Sequence, residues 1–378
     1  MELYVHLPFC LKKCRYCDFV SFVCTETMME KYIDSLLREA QQRMNDITEP
    51  IKTVYFGGGT PSLLPAVLLT KLIQGLKRVI PLNEVTEWTS EANPGTLTVS
   101  WLEAAYSGGI NRLSLGMQAA QNHLLKTLGR IHTKKETQDS VILAQMTGFS
   151  NISLDLMFGL PSQTLKDWQD TLREALAFSP KHISAYGLIP EKGTPLRNDL
   201  EAGRVSLPEA EQEREMYEVL LQTLRENGFE QYEISNFSLP GYSCRHNIGY
   251  WTQVPYLGLG LSASSMLHPV CENGFSYCRR NNTKNLYTWL SGHYTESEET
   301  ISPDESRFET MMLGMRMISG VSEIDFEKMH QVSLESCYGK RLRSLEERGL
   351  VQYQKPFWSL TRQGLDLQNM VLVELMDE

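Results

Sequence analysis

Three cysteines near the amino terminus have a spacing suited to an iron–sulfur cluster. Cys10, Cys14 and Cys17 are separated first by three residues and then by two. A cubane [4Fe–4S] cluster normally takes four thiolates, one on each iron. Three clustered thiolates would leave one iron without a protein ligand, and that iron could hold a small molecule. The spacing therefore predicts a [4Fe–4S] cluster with one exchangeable position.

Zinc is the alternative metal for these cysteines. Zinc prefers four Cys or His ligands, and CxxC pairs are common in zinc sites. The fourth ligand would have to be Cys24, His6 or a more distant side chain, and no second CxxC pair follows at zinc-finger spacing. This ligand count favours the cluster. With eight cysteines in 378 residues and no signal peptide before them, we expect a reduced, cytoplasmic protein rather than a disulfide framework.

Composition limits the classes of function. The chain is 42% hydrophobic and 22% charged, with a formal net charge of −10. This acidic balance argues against a nucleic-acid partner, because such proteins usually present a basic face. No apolar run approaches the roughly 18 residues that span a bilayer. We therefore expect no transmembrane segment, while peripheral membrane contact and a monomeric or homodimeric state stay open.

Strand-like runs alternate with helix-like runs before residue 230. The strands are predicted at 3–7, 53–56, 85–91, 111–115, 151–155 and 182–186, and the helices at 28–44, 66–80, 100–106, 134–146, 164–178 and 209–227. Repeated βα units imply a parallel sheet with right-handed crossovers. These units predict an α/β fold, a partial (β/α)6 TIM-like barrel, with a doubly wound sheet as the alternative.

Residues that could bind a cofactor or take part in a reaction come directly after these strands. The cysteines follow the first strand and the run 57–60, Gly-Gly-Gly-Thr, follows the second. Glu91, Gln118 and Asp155 lie at the ends of the next three strands. In α/β barrels the carboxyl ends of the strands form the active site. We therefore expect these groups to meet at one mouth of the barrel.

The CxxxCxxC spacing and the glycine run together resemble the radical S-adenosylmethionine (SAM) superfamily. In that superfamily the amino and carboxylate groups of SAM fill the open position of the cluster. The resemblance implies that Gly58, Gly59 and Thr60 hold the amino-acid end of SAM. They would do so through backbone N–H groups or through carbonyls that accept its ammonium. Tyr4 belongs to a matching motif on the first strand and is expected to contact the cofactor.

Other candidates have side chains suited to the rest of SAM. Glu91 and Asp155 are carboxylates that could accept hydrogen bonds from a ribose diol. Gln118 and Arg130 could bind the SAM carboxylate or other polar edges. Tyr16, between two of the cysteines, could stack on adenine.

His246 is the candidate residue of a haem site. Neutral imidazole is a common axial ligand of haem iron. In a helical stretch His246 and Tyr250 would share a face, and Trp251 adds an aromatic surface for a porphyrin. A structural role for this histidine and ligation by Cys244 are the alternatives. Three arginines are candidate partners for haem propionates: Arg245, Arg279 and Arg280.

Nearly the whole chain resembles one branch of the superfamily, the coproporphyrinogen-dehydrogenase-like proteins, and within it the HemW-type haem chaperones. The matching motifs are YVHLPFC at 4–10, FGGGTPSL at 56–63, EANPGT at 91–96, LGRIH at 128–132, DLMFGLP at 155–161, YEISNF at 232–237 and HNxxYW at 246–251. The last is associated with haem binding in HemW proteins. One departure is LSASS at 261–265, where HemW proteins usually have Gly-Ala-His-Ser.

The resemblance implies a haem chaperone that binds a [4Fe–4S] cluster, SAM and haem and delivers haem to an acceptor haemoprotein of the respiratory type. The alternative is an oxygen-independent coproporphyrinogen III dehydrogenase. Those enzymes have one more cysteine, at the position of Phe19 here, so we do not expect that activity. A third hypothesis is a zinc-stabilised interaction module.

The sequence predicts three regions: a barrel at 1–235, a linking segment with HNxxYW at 236–300 and a mostly helical, winged-helix-like module at 301–378. A helix at 334–348, a hairpin at 350–360 and a last helix capped by Thr361 suggest the winged helix. From 303 to 378 there are nine Lys or Arg and thirteen Asp or Glu residues. A DNA-reading wing would need the opposite balance, so we interpret the module as a packing or protein-contact element.

Metal analysis separates the cluster from zinc. We expect anaerobically purified protein to contain iron and acid-labile sulfide in equal amounts, about four of each per chain, as a cubane requires. Zinc without sulfide would rule out the iron–sulfur prediction.

Overall fold

The computed structural model describes residues 1–267 and 277–376. The predicted strands of the barrel form and pair in parallel in chain order, so the prediction of an α/β partial barrel is confirmed. The fourth of them, β4 (Arg112–Gln118), is buried along its whole length, as expected for a parallel strand covered on both faces. These strands are β1 (Glu2–Leu7), β2 (Thr53–Gly58), β3 (Glu87–Ala92), β4 (Arg112–Gln118), β5 (Ile152–Phe158) and β6 (His182–Gly187).

The predicted helices also form, each within a few residues of its expected bounds. Thr133 and Glu136 form a capping box at the start of α5 (Lys134–Met146), and Thr164 and Asp167 form one at the start of α6 (Leu165–Ala177). The sequence does not predict α4 (Asn122–Thr127) or α7 (Pro195–Glu201), because such short helices show no clear hydrophobic period. The helices are α1 (Glu26–Gln42), α2 (Ala66–Val79), α3 (Val99–Ser107), α4 (Asn122–Thr127), α5 (Lys134–Met146), α6 (Leu165–Ala177), α7 (Pro195–Glu201) and α8 (Ala210–Glu226).

The sheet continues past the parallel strands at both edges. The next elements are β7 (Glu230–Glu233), β8 (Asn236–Ser238), α9 (Arg245–Trp251), β9 (Tyr256–Leu259), β10 (Ser264–Leu267), β11 (Tyr277–Asn282), α10 (Leu286–Leu290) and β12 (Thr295–Ile301). β9 pairs in parallel with β1, and β8 pairs antiparallel with β6. The twelve-stranded sheet therefore runs from β12 at one edge to β7 at the other. The segment expected as a link contributes strands to it.

The carboxyl-terminal module has a core of its own. Met311, Phe326, Leu342 and Trp358 are buried in it, around a three-stranded sheet in the order β13-β15-β14. The predicted helix, hairpin and Thr361-capped helix follow one another as expected. The elements are α11 (Pro303–Gly314), β13 (Val321–Ser322), α12 (Glu323–His330), α13 (Leu334–Glu347), β14 (Val351–Gln354), β15 (Phe357–Leu360), α14 (Arg362–Asp366) and α15 (Gln368–Met376). Across residues 1–267 and 277–376, no helix combines the length and apolar character needed to cross a membrane.

The short helix α9 is fixed to the barrel by the buried carboxylate of Glu87. The backbone N–H groups of Arg245 and His246 each donate to this carboxylate at 3.0 Å. The first N–H groups of a helix have no partner inside the helix, so a carboxylate there satisfies them and complements the helix dipole. Glu87 lies on β3 and thereby sets the position of HNxxYW relative to the strands.

Removing this carboxylate should destabilise the protein. We expect Glu87→Ala to lower the free energy of unfolding by about 3 kcal/mol, because buried N–H groups lose their acceptor. Glu84→Ala is the matched control, since Glu84 is an exposed partner of Lys52 and such pairs contribute about 0–1 kcal/mol. Chemical denaturation measures both. Equal stability of the two variants would contradict this role of Glu87.

Candidate functional site

The mouth of the parallel strands contains a cavity of about 390 Å³, which we call the cysteine cavity. Loops and strand ends that are far apart in the chain line it together, so the sequence-predicted site residues do meet. All of them except Tyr4 and His246 belong to its wall: Cys10, Cys14, Tyr16, Cys17, Gly58, Gly59, Thr60, Glu91, Gln118, Arg130 and Asp155.

The three cysteine thiols are unpaired, and polar donors lie near two of them. Cys10 Sγ is 3.8 Å from the hydroxyl oxygen of Thr60, and Arg130 Nη1 is 3.7 Å from Cys14 Sγ. Burial raises the pKa of Cys17 to about 11, so a metal would be needed to hold it as a thiolate at neutral pH. In the described part of the chain, no three His, Cys, Asp or Glu side chains are grouped to hold a single ion. Separate thiols with nearby donors fit a cluster in which each iron takes one thiolate.

The glycine loop after β2 has a conformation that requires glycine. Gly58 has a φ of +101°, and a Cβ there would overlap the ring of His6. A Cβ on Gly59 would lie 2.7 Å from the carbonyl oxygen of Leu7. The N–H of Gly58 donates to Glu91 at 3.1 Å and that of Gly59 to Leu7 at 3.0 Å. Both N–H groups therefore have acceptors within the protein, and the way in which the loop holds SAM stays a prediction.

Two half-buried carboxylates lie on the wall of the cysteine cavity. Glu91 accepts from the hydroxyl of Tyr55 at 3.0 Å, and Asp155 accepts from the hydroxyl of Ser114 at 2.9 Å. Burial, together with the charge of Asp155, raises the pKa of Glu91 to about 7. Burial likewise raises the pKa of Asp155. A ribose diol would supply donors to such acceptors, and this role stays a prediction.

Arg130 connects the cysteine loop to two strand ends. Its Nη2 donates to Asn93 Oδ1 at 2.6 Å and to the carbonyl of Gly116 at 2.7 Å. Gln118 has a φ of +61°, a conformation uncommon for residues other than glycine, and its side chain lines the cavity. Burial raises the pKa of Tyr16, so its ring is neutral beside the cysteines. Their contacts with SAM stay predictions.

A second cavity, of about 710 Å³, adjoins the first, and we call it the aromatic cavity. Tyr4 and His246, the two candidates missing from the first cavity, both line it. So do residues 262–264, within the stretch that departs from the HemW pattern. Cavities of about 300–1,000 Å³ are typical of small-molecule sites. The two cavities share five wall residues: Phe19, Tyr55, Gly58, Glu91 and Asn247.

His246 is held on all sides within the protein. It is 1% exposed, and its Nδ1 lies 2.7 Å from Thr53 Oγ1 while its Nε2 lies 2.9 Å from the hydroxyl oxygen of Tyr250. Its ring stacks on Tyr55 with centroids 5.1 Å apart. Ligation of haem by His246 therefore requires that one of these hydrogen bonds be given up.

The imidazole of His246 and the nearby carboxyl group of Glu2 both have shifted pKa values. Burial, reinforced by the charge of Arg112, lowers the pKa of His246 to about 3. Glu2 Oε2 is 3.7 Å from the imidazole, and burial raises the pKa of Glu2 to about 9. This close pair is therefore a neutral carboxylic acid beside a neutral imidazole at pH 7.

The candidate propionate partners differ in position. Arg279 lines the aromatic cavity and pairs with Glu309 at 2.8 Å. Arg280 lies outside this cavity and forms ion pairs with Asp46 and Glu298. Arg245 donates a hydrogen bond to the hydroxyl of Thr86. Sequence reasoning missed Lys284, which lines the cavity and makes no ion pair with the described residues. No pattern in the sequence singles out Lys284, because its place on the cavity wall depends on β11, a strand that the sequence does not predict.

Comparison with known proteins shows which family this chain is related to. Residues 4–175 match the radical SAM superfamily, and residues 301–367 match the HemN C-terminal domain. A protein named heme chaperone HemW from Bacillus subtilis (strain 168) is 35% identical over 99% of both chains. A protein of the same name from Escherichia coli (strain K12) is 32% identical over 98% of this chain and 97% of its own.

A solved structure supports the fold. Coproporphyrinogen III oxidase (HemN) from Escherichia coli superposes with a TM-score of 0.83 at 20% identity, over 99% of this chain and 89% of that chain. At that identity the likeness concerns the fold alone. The relatives above 30% identity, in contrast, align over almost the full length of the chain. This chain therefore belongs to the HemW haem chaperone family of radical SAM proteins.

Proposed function

We propose that this protein binds haem next to a SAM-occupied [4Fe–4S] cluster and delivers the haem to an acceptor haemoprotein. The observation that supports this most directly is the aromatic cavity of about 710 Å³, which is lined by the HNxxYW side chains and shares its wall with the cysteine cavity. The name of the relatives, heme chaperone, points to the same cargo.

Membership of the radical SAM superfamily implies a cluster and SAM. Cys10, Cys14 and Cys17 would hold the cluster, which supplies an electron to SAM in the chemistry of this superfamily. The carbonyls of the glycine loop would accept the SAM ammonium, and Glu91 would accept from the ribose. The chain's own contribution is to position Glu91 before SAM arrives, because this carboxylate already accepts from the hydroxyl of Tyr55 and the N–H of Gly58.

The aromatic cavity suits a porphyrin in shape and polarity. Tyr250, Tyr256 and Met266 contribute rings and a thioether to its wall, and such groups pack against flat apolar ligands. Arg279 and Lys284 lie at the same cavity and would face the propionates. Haem would thus bury its macrocycle and keep its carboxylates near cations.

The three predicted regions would divide these tasks. The barrel at 1–235 would hold the cluster and SAM, and the segment at 236–300 would supply HNxxYW. The module at 301–378 would close the aromatic cavity, because Glu309, Met312 and Leu313 of α11 line it. Separate hydrophobic cores on either side of residue 301 support that boundary.

We further propose that the protein works in the cytoplasm and hands haem to a respiratory haemoprotein. Every cysteine in residues 1–267 and 277–376 is a free thiol, as is usual in a reducing compartment. The net charge of −10 also supports a protein acceptor over nucleic acid.

Cysteine substitutions test the assignment of the cluster. Cys17→Ala should abolish the iron and sulfide content, because two thiolates cannot retain a cubane that already lacks one protein ligand. Cys24→Ala is the matched control, since Cys24 follows the ligand loop and packs against the core. It should retain both elements in full. Iron and sulfide that survive in Cys17→Ala, or are lost in Cys24→Ala, would overturn the assignment.

Haem transfer tests the function itself. Anaerobic protein with cluster and SAM should bind ferric haem with one-to-one stoichiometry and pass it to apomyoglobin faster than free haem release allows, as followed by absorption. The same protein incubated with coproporphyrinogen III, SAM and reductant should form no protoporphyrinogen. Robust formation of protoporphyrinogen would replace the chaperone proposal with the decarboxylase, and failure to bind haem would remove it.

A further inference from the structure

We propose that Tyr250, rather than His246, is the axial ligand of the haem iron, and that His246 is the positioning residue that orients the Tyr250 hydroxyl. This inference rests on the proposed haem function and names the ligand atom within the same cavity. It reverses the sequence-based expectation, because the sequence shows the two residues together but not which of them has a free coordinating atom.

The surroundings of His246 argue against ligation by its imidazole. A ring nitrogen binds iron through the lone pair that lies in the plane of the ring. At Nε2 that direction is taken by the hydroxyl of Tyr250 at 2.9 Å, and at Nδ1 by the hydroxyl of Thr53 at 2.7 Å. The ring is also 1% exposed and packed on Tyr55. Iron could reach it only by breaking a buried hydrogen bond, which is unfavourable.

Tyr250 offers the coordinating atom that His246 lacks. Its side chain lines the aromatic cavity, and tyrosine oxygen is an established type of axial haem ligand. Its ring is fixed edge-on between two neighbours, with centroids 4.8 Å from His246 and 4.8 Å from Tyr256. The spacing of four residues on α9 brings the hydroxyl to the imidazole. Hydroxyl oxygen has two lone pairs, so a hydrogen bond to Nε2 leaves the oxygen able to bind a metal.

The ligation step balances without any redox reagent. Ferric haem would enter with hydroxide as its axial ligand. The O–H bond of Tyr250 would break, the phenolate oxygen would bond to iron(III), and the hydroxide would take the proton and leave as water. His246 would stay neutral throughout, with its Nε2 2.9 Å from the ligating oxygen. A hydrogen-bond partner that orients a ligand from behind is a recurring arrangement at metal sites.

A second Tyr–His pair lines the same cavity and is the alternative source of a tyrosine ligand for haem. The Tyr4 hydroxyl lies 3.0 Å from His6 Nδ1, and His6 Nε2 lies 2.8 Å from the carbonyl oxygen of Val20. The His6 ring abuts Gly58, where a Cβ would collide with it. This pair is therefore next to the glycine loop, on the side of the expected SAM site. Tyr250 instead contacts His246 and Tyr256, and is favoured for haem.

Resonance Raman and absorption spectra of the full-length protein, loaded with cluster and ferric haem, test the proposal. Wild-type protein should show an iron–phenolate stretch and the phenolate-to-iron charge-transfer band. Tyr250→Phe should lose both and bind haem about tenfold more weakly, equivalent to about 1.4 kcal/mol. His246→Gln should keep the phenolate stretch at a shifted frequency, because the ligand remains while its hydrogen-bond partner changes.

Tyr287→Phe is the matched control, an exposed tyrosine that lines neither cavity. It should keep the wild-type stretch and affinity. Two results would overturn the proposal while leaving the haem function intact: an unchanged spectrum in Tyr250→Phe, or loss of the phenolate stretch in Tyr4→Phe instead. If wild-type protein binds no haem, the function itself fails. Cluster absorbance and circular dichroism confirm that each variant is folded.

Discussion

The strand β1 is hydrogen-bonded on both sides, and both cavities depend on this double pairing. On one side His6 is in register with Gly57 and Leu7 with Gly58 of β2, so the cysteine loop leaves β1 next to the glycine loop. On the other side Glu2 is in register with Tyr256 of β9. One strand therefore joins the cysteine cavity to the segment that contains HNxxYW.

Along β1, side chains that pack in the core alternate with side chains that line the aromatic cavity. Leu3, Val5 and Leu7 are fully buried in the core. Tyr4 and His6 point to the opposite face, as a period of two requires, and both line the aromatic cavity. Two histidines there, His6 and His246, are each hydrogen-bonded to a tyrosine hydroxyl. This part of the cavity wall is therefore ordered before a ligand binds.

Much of this arrangement could be predicted from the sequence, and the failures have physical reasons. The parallel strands and their order follow from alternating βα patterns, and the convergence of Cys10, Glu91 and Asp155 follows from the rule that strand ends share an edge. The strands β9 and β10 were missed because runs of four residues show little periodicity. The surroundings of His246 could not be predicted, since Thr53 reaches it only through the pairing of distant strands.

The central claim is that one chain places an incompletely coordinated cluster beside a haem-sized cavity. Anomalous diffraction at the iron edge tests it most directly, using crystals of anoxically prepared protein with SAM and haem. The account predicts iron density at Cys10, Cys14 and Cys17 with SAM on the fourth iron, and a second iron site in the aromatic cavity next to Tyr250. Haem bound elsewhere, or a fourth side chain closing the cluster, would contradict it.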